Sequence, residues 1–198
     1  MKLDFAFYVG GLEKSIINLL KDGDTKLQQA GMNGVKEFAL YSGELNREDL
    51  VAALKSLAPR FPLVLVSYGS GKDRRKAATG LIEKEPIEVE HDCGFVVIVA
   101  SNDLRGIEKR KTSANQMVGE VRQLLGGVQF EVQIEGEDQL LNHSPLIPAA
   151  VETITRLPDL SAYAVHFSTM FHEWLPDRRV AVGNVEEIIL NYGENNED

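Results

Sequence analysis

Cys93-Gly-Phe-Val-Val-Ile-Val-Ala-Ser-Asn-Asp-Leu-Arg-Gly106 is an uninterrupted β-branched and aromatic run that ends in an abrupt polar turn. Phe95, Val96, Val97, Ile98 and Val99 do not alternate with polar residues, so neither face of this segment can be left to water. Five such residues in succession favour a strand over a helix, and the strand belongs at the centre of a sheet. A second apolar run, Phe61 to Tyr68, is its expected neighbour, being equally short, β-branched and bounded by Pro and Gly.

Working outward, apolar residues at Leu12, Ile16, Leu19, Leu20 and Leu27 carry helical spacing from Gly11 to about Gln29, with Asp22-Gly23-Asp24 as a stop or kink. Val35 to Tyr41 reads as a short strand between Asn33-Gly34 and Ser42-Gly43. Asn46, followed by Glu48 and Asp49, is a capping start for a helix through Leu50, Leu54 and Leu57 that Pro59 closes. Gly69 to Lys84 is charged, glycine-bearing and without apolar period, which predicts a long mobile loop and a first candidate for partner contact. Ile87, Val89 and His91 then lead into the central strand, with Glu88, Glu90 and Asp92 on the opposite, wet face.

After a polar connection over Ser101 to Lys111, Thr112 or Ser113 precedes a helix carrying Met117, Val121, Leu124 and Leu125, ended by Gly126-Gly127. Val128, Phe130, Val132 and Ile134 alternate with Gln129, Glu131, Gln133 and Glu135, an amphipathic strand. Leu146 to Leu157, punctuated by Pro145, Pro148 and Pro158, is a strand if it is anything. Ser161 to Leu175 is a long strand with Tyr163, Val165, Phe167, Thr169 and Phe171 on one face and Ala164, His166, Ser168, Met170 and His172 on the other. The expected fold class is α/β (α+β): a mixed sheet flanked by two or three helices, one domain over 1–190, and a flexible acidic tail over 191–198.

The formal charge of −9 over 198 residues speaks against a general nucleic-acid binder, which needs clustered Lys and Arg in excess. Cys93 is the single cysteine, so it has no internal disulfide partner, and a reducing compartment fits. The N-terminus is too short in apolar residues for a signal peptide and no run would span a membrane, so a cytoplasmic protein is expected.

No constellation assembles a catalytic, cofactor or metal site. His166 and His172 share a strand face but stand about 20 Å apart at 3.3 Å per residue, too far to share a metal. His91, Asp92 and Cys93 are adjacent only in sequence, because strand neighbours point to opposite faces. Gly69-Ser-Gly-Lys72 is not a phosphate loop, since Lys72 is followed by Asp73 and the glycine spacing is wrong. Charge is more informative. Lys72, Arg74, Arg75, Lys76 and Lys84 against Asp73 and Glu83 make one segment positive by three, and Arg105, Lys109, Arg110 and Lys111 against Glu108 make another positive by three. Solvated charge is the plain reading; the sharper one is a patch for an acidic surface on another subunit. In a sheet of like-directed neighbours both segments would lie at one edge. From Val180 onward the tail carries acids such as Glu186, Glu187, Glu194, Glu197 and Asp198 with no Lys or Arg, one candidate complement.

The order Pro62 to Gly69, a polar loop, Phe95 to Ala100, Asn102-Asp-Leu-Arg-Gly106, and a helix holding Val121-Arg-Gln-Leu-Leu-Gly126 resembles a family of Mu-like phage and prophage proteins. Those look like tail-completion or tail-terminator subunits of contractile-tailed phages. The resemblance covers roughly Leu12 to Trp174; the segment from Leu146 to Pro158 and the acidic tail have no counterpart in it. It implies a non-enzymatic subunit that forms a ring, typically a hexamer, on the tail tube and meets neck or connector proteins. Assembly in the host cytoplasm and residence in the virion tail follow from the same resemblance. For such a subunit Lys72, Arg74, Arg75, Lys76, Arg105, Lys109 and Arg110 are the expected interface residues. The competing class is a small α/β ligand-binding protein or enzyme with its site at the turn from Asn102 to Gly106, where Asp103 and Arg105 would converge. An adaptor for a host protein is a third.

Overall fold

A computed structural model describes residues 5–29, 35–41, 50–75, 87–102, 107–134, 137–140, 143–157 and 160–175. Its frame is a five-stranded sheet in the order β1-β2-β3-β7-β6, formed by β1 (Glu37–Leu40), β2 (Leu63–Arg75), β3 (Ile87–Ser101), β7 (Leu160–Leu175) and β6 (Ile147–Leu157). β1 runs parallel to β2, and every other neighbouring pair is antiparallel. The sheet is mixed and the fold is α+β. The run that begins at Cys93 lies in β3, the central strand, with the apolar segment of β2 as one neighbour, as the sequence requires.

One face of the sheet is covered by two helices. α1 (Phe5–Gln29) presents Leu12, Ile16 and Leu20, and α3 (Ile107–Leu125) presents Ala114, Met117, Val121 and Leu125, each set at spacings of three or four residues. They close over Val64, Val66, Phe95, Val97, Phe167 and Phe171. α1 is continuous through Gly23, where the sequence suggested a stop or kink. Gly23 is a crossing point instead, because a Cβ there would lie 2.5 Å from Leu124 Cδ1 of α3.

Among the described residues the opposite face is covered only at one end. There Phe61, Leu63, Leu65, Ile98, Ala100 and Ala162 form a second core with Leu57, which follows α2 (Leu50–Ser56). A 3-10 turn over Ala58–Arg60 contains Pro59, so the helix does end where Pro59 forbids its continuation.

Three expectations need correction. Gly69 to Arg75 is strand rather than loop: β2 continues to Arg75 in register with β3, pairing Lys72 with Asp92 and Arg74 with Glu90. The helix α3 starts at Ile107, so Lys109 and Arg110 lie in its first turns and not in a connection. The amphipathic segment from Val128 is strand only over β4 (Glu131–Ile134), which pairs with β5 (Glu137–Leu140) as a separate two-stranded sheet. The proline-punctuated segment from Leu146 is indeed a strand, β6, at the sheet edge where proline is tolerated. Lys76, Asp103 to Gly106, and the tail over 191–198 lie outside the described residues.

Candidate assembly surface

β2 is 13 residues long, but β1 covers only its first four, Leu63 to Val66. Beyond Val66 no other described strand pairs with β2 on that side. The backbone N–H of Tyr68 donates to Glu13 Oε1 of α1 at 2.7 Å, and from Gly69 to Asp73 the strand is exposed. Among the described residues the result is an open strand edge, the kind of surface that accepts another strand.

A bulge at Gly69 sets the orientation of this segment. The register with β3 shifts between Tyr68 and Ser70, so Tyr68 packs on the helix side against Phe95, ring centroids 5.8 Å apart, while Ser70 and Lys72 fall on the open face. Both glycines are sites of close approach rather than of mobility. A Cβ on Gly69 would meet Val96 Cγ2 at 2.9 Å, and one on Gly71 would meet Tyr68 Oη at 2.2 Å. The extended segment is held to β3 from the helix side by Asp73 Oδ1, 2.6 Å from Nδ1 of the buried His91. The open face beside it forms a groove of about 480 Å³ lined by Ser70, Lys72, Asp92, Gly94, Ile147 and Ser168, among others.

The ends of β2 and β3, from which the two basic segments leave, lie at opposite ends of the sheet. Arg74 and Arg75 pair with Glu90 and Val89 at the start of β3, whereas β3 ends at Ser101. Twelve residues of strand, about 40 Å at 3.3 Å per residue, separate those levels. The cause is strand direction: β2 and β3 are antiparallel, not like-directed.

The groups that look chemical in one-letter code are packing residues here. Cys93 is buried, and its thiol is pushed up to about 11, chiefly by burial, with a hydrogen bond from Tyr68 opposing. Tyr68 is itself raised to about 12, again chiefly by burial. Neither is a nucleophile at neutral pH. His166 and His172 lie six residues apart on the open face, near Glu152 at 3.5 Å and Glu90 at 3.9 Å respectively. Among the described residues no group of three or more His, Cys, Asp or Glu is placed to hold a metal ion. No described helix is long and apolar enough to cross a membrane.

One histidine escaped the sequence reading. His143 is 4% exposed, and its Nε2 accepts the backbone N–H of Phe130 at 2.8 Å. Its Nδ1 faces the Ser144 carbonyl at 2.6 Å and Thr169 Oγ1 at 3.2 Å. Nothing in the local pattern around Asn142-His-Ser144 signals this, because its partners are 13 and 26 residues away.

The sequence matches the family described as "Bacteriophage Mu, Gp37" over residues 12–172. The chain belongs to that family. The Gp37 match starts in α1 and ends in β7, so it takes in all five strands of the sheet but for the last three residues of β7. Among solved structures, a chain from the virion of a native gene transfer agent particle is similar at 15% identity, covering 55% of this chain and 69% of that one, with a TM-score of 0.35. No curated protein sequence matches.

Proposed function

We propose that this Gp37-family chain is a structural subunit of a phage tail, a ring-forming tail terminator or head-tail completion protein. Family membership across the sheet supports a phage role, and the observation that carries the assembly reading is the open, basic edge of β2 from Gly69 to Arg75. An exposed strand edge invites pairing with other chains, and proteins that must stay apart blunt it. This one is left long.

In this reading the partners are other copies of the chain, the tail tube and the neck or connector proteins. Lys72, Arg74 and Arg75 at the end of β2, with Lys76 next in sequence, and Lys109 and Arg110 at the start of α3, with Arg105 before them in sequence, then serve two different contacts. One set faces a neighbour in the ring. The other is free for a second class of partner along the ring axis. The chain assembles in the host cytoplasm and ends in the virion.

Light scattering on the purified protein across a range of salt and protein concentrations tests the proposal. A closed oligomer that dissociates as salt rises is expected, with rings visible by negative-stain electron microscopy. A chain that remains monomeric throughout, and that does not bind isolated tail tubes, overturns it.

A further inference from the structure

Among the described residues, the β4–β5 hairpin joins no other strand. β4 and β5 pair only with each other, Glu131 opposite Leu140 through Ile134 opposite Glu137, and neither packs substantially on another described element. Isolated two-stranded hairpins are marginal in water and gain stability from a third strand or a packing partner. The base of this hairpin, in contrast, is firmly held. Leu146 N–H donates to the Val128 carbonyl at 2.9 Å, Ser144 N–H donates to the Met170 carbonyl at 2.6 Å, and His143 ties Phe130 to Thr169. An element with a fixed base and no described strand beside it serves as an arm.

The charge of this arm is one-sided. Between Val128 and Asn142 the chain carries Glu131, Glu135, Glu137 and Asp138 and no Lys or Arg. The open part of β2 is the opposite along its own strand: Lys72, Arg74 and Arg75 against Asp73, whose carboxylate is already engaged by His91, with Asp92 and Glu90 of β3 opposite Lys72 and Arg74.

Topology places the two at the same end of the molecule and on opposite flanks. His143 bridges to Phe171, and Phe171 pairs with His91, which pairs with Asp73, so the arm leaves the body at the level of the β2 extension. The arm emerges beside β6 and β7, on one side of the central strand; the open edge of β2 lies on the other. A rotation that sets copies side by side along the sheet brings the arm of one against the open edge of the next at the same height. Such a contact is heterologous, and if the rotation closes it generates a ring.

We propose that the acidic β4–β5 hairpin of one copy docks on the open edge of β2, Gly69 to Arg75, of the adjacent copy, by strand addition with opposite charges across the pair. This rests on the self-assembly reading above and names the contact that makes the ring. It replaces the acidic tail as the complement of the basic strand, and it assigns no ring contact to Arg105, Lys109 or Arg110.

The test uses the full-length chain with reversed charges. Light scattering is run on the wild type, on Glu137→Lys with Asp138→Lys, on Lys72→Glu with Arg74→Glu, on the four changes combined, and on a chain ending at residue 190. Circular dichroism melting shows that each variant is folded. Like charges set face to face cost several kcal/mol, so each reversed set is expected to weaken association roughly a hundredfold or more. The combined variant is expected to recover it, and truncation to leave it unchanged.

A mixture of chains carrying either Lys72→Cys or Asp138→Cys tests proximity directly. Any disulfide-linked dimer joining the two different chains is between copies by construction, and it is the expected product. An oligomer indifferent to both reversals overturns this docking and leaves the ring reading standing. Loss of association on truncation at 190, with both reversals silent, also overturns it in favour of the tail. A wild-type chain that never associates removes both.

Discussion

The backbone N–H of Phe130 donates to Nε2 of His143 at 2.8 Å, which leaves that nitrogen unprotonated and commits the ring proton to Nδ1, facing the Ser144 carbonyl. The ring is buried, and burial is the main cause that moves its pKa below the usual value near 6.5, with the Ser144 carbonyl pulling the other way. Protonating Nε2 would set two donors against each other at the base of the arm.

The direction of the pH effect follows from that lowered value. Above about pH 6.5 the ring is neutral in both folded and unfolded chains and the full stability is present. As pH falls below 6.5 the unfolded chain takes up a proton that the folded chain refuses, so stability is lost progressively toward the lower folded value. Urea unfolding between pH 7.5 and 5 is expected to show this loss. His143→Gln is expected to be less stable than wild type at pH 7.5 but to have a flatter dependence on pH. Parallel slopes for the two proteins would assign the acid sensitivity elsewhere.

Glu13 does for β2 what a further residue of β1 would have done. Its carboxylate accepts the Tyr68 N–H at 2.7 Å just past the point where β1 stops covering the strand. Hydrogen bonds to charged groups contribute about 1.5–3 kcal/mol. Glu13→Ala is expected to lower unfolding stability by about that amount. Glu13→Gln, which keeps an acceptor, should lose less. An Ala variant as stable as wild type would show that water replaces the carboxylate at no cost.

The central sheet was legible in the sequence because its strands are apolar on one face or on both. Phe95 to Val99 is continuous, and Tyr163 to Phe171 alternates cleanly, so each reports its own burial. The β2 extension gave no such signal. Its open-face residues, Ser70 and Lys72, meet solvent, and on the helix side Gly71 lies under the Tyr68 hydroxyl and Asp73 beside the His91 ring, so a real strand carries the composition of a loop. Polar partners supplied by β3 and β7 are invisible to local periodicity. The same holds for His143, whose role depends on Phe130 and Thr169. Strand direction was equally hidden, and with it the placing of the end of β2 beside the start of β3. The resemblance to Mu-like phage proteins, read over Leu12 to Trp174, spans nearly the same stretch as the family match over 12–172.

Gly23 and Leu124 provide the sharpest test of the helix crossing. A glycine in a helix interior costs about 1 kcal/mol relative to alanine, so Gly23→Ala would stabilise α1 if nothing stood beside it. In the folded chain the new Cβ would lie 2.5 Å from Leu124 Cδ1 and 2.8 Å from Cδ2, and α3 would have to move the leucine off its rotamer. Overpacking of this kind costs about 1–3 kcal/mol, so Gly23→Ala is expected to be neutral to destabilising in the wild-type background. Once Leu124→Ala has opened the space, the same substitution is expected to become stabilising. A double-mutant cycle by urea unfolding should therefore give a coupling of about 0.5–3 kcal/mol. Additive effects would mean that the two helices do not touch at this pair, and that α1 carries its glycine for a reason other than the approach of α3.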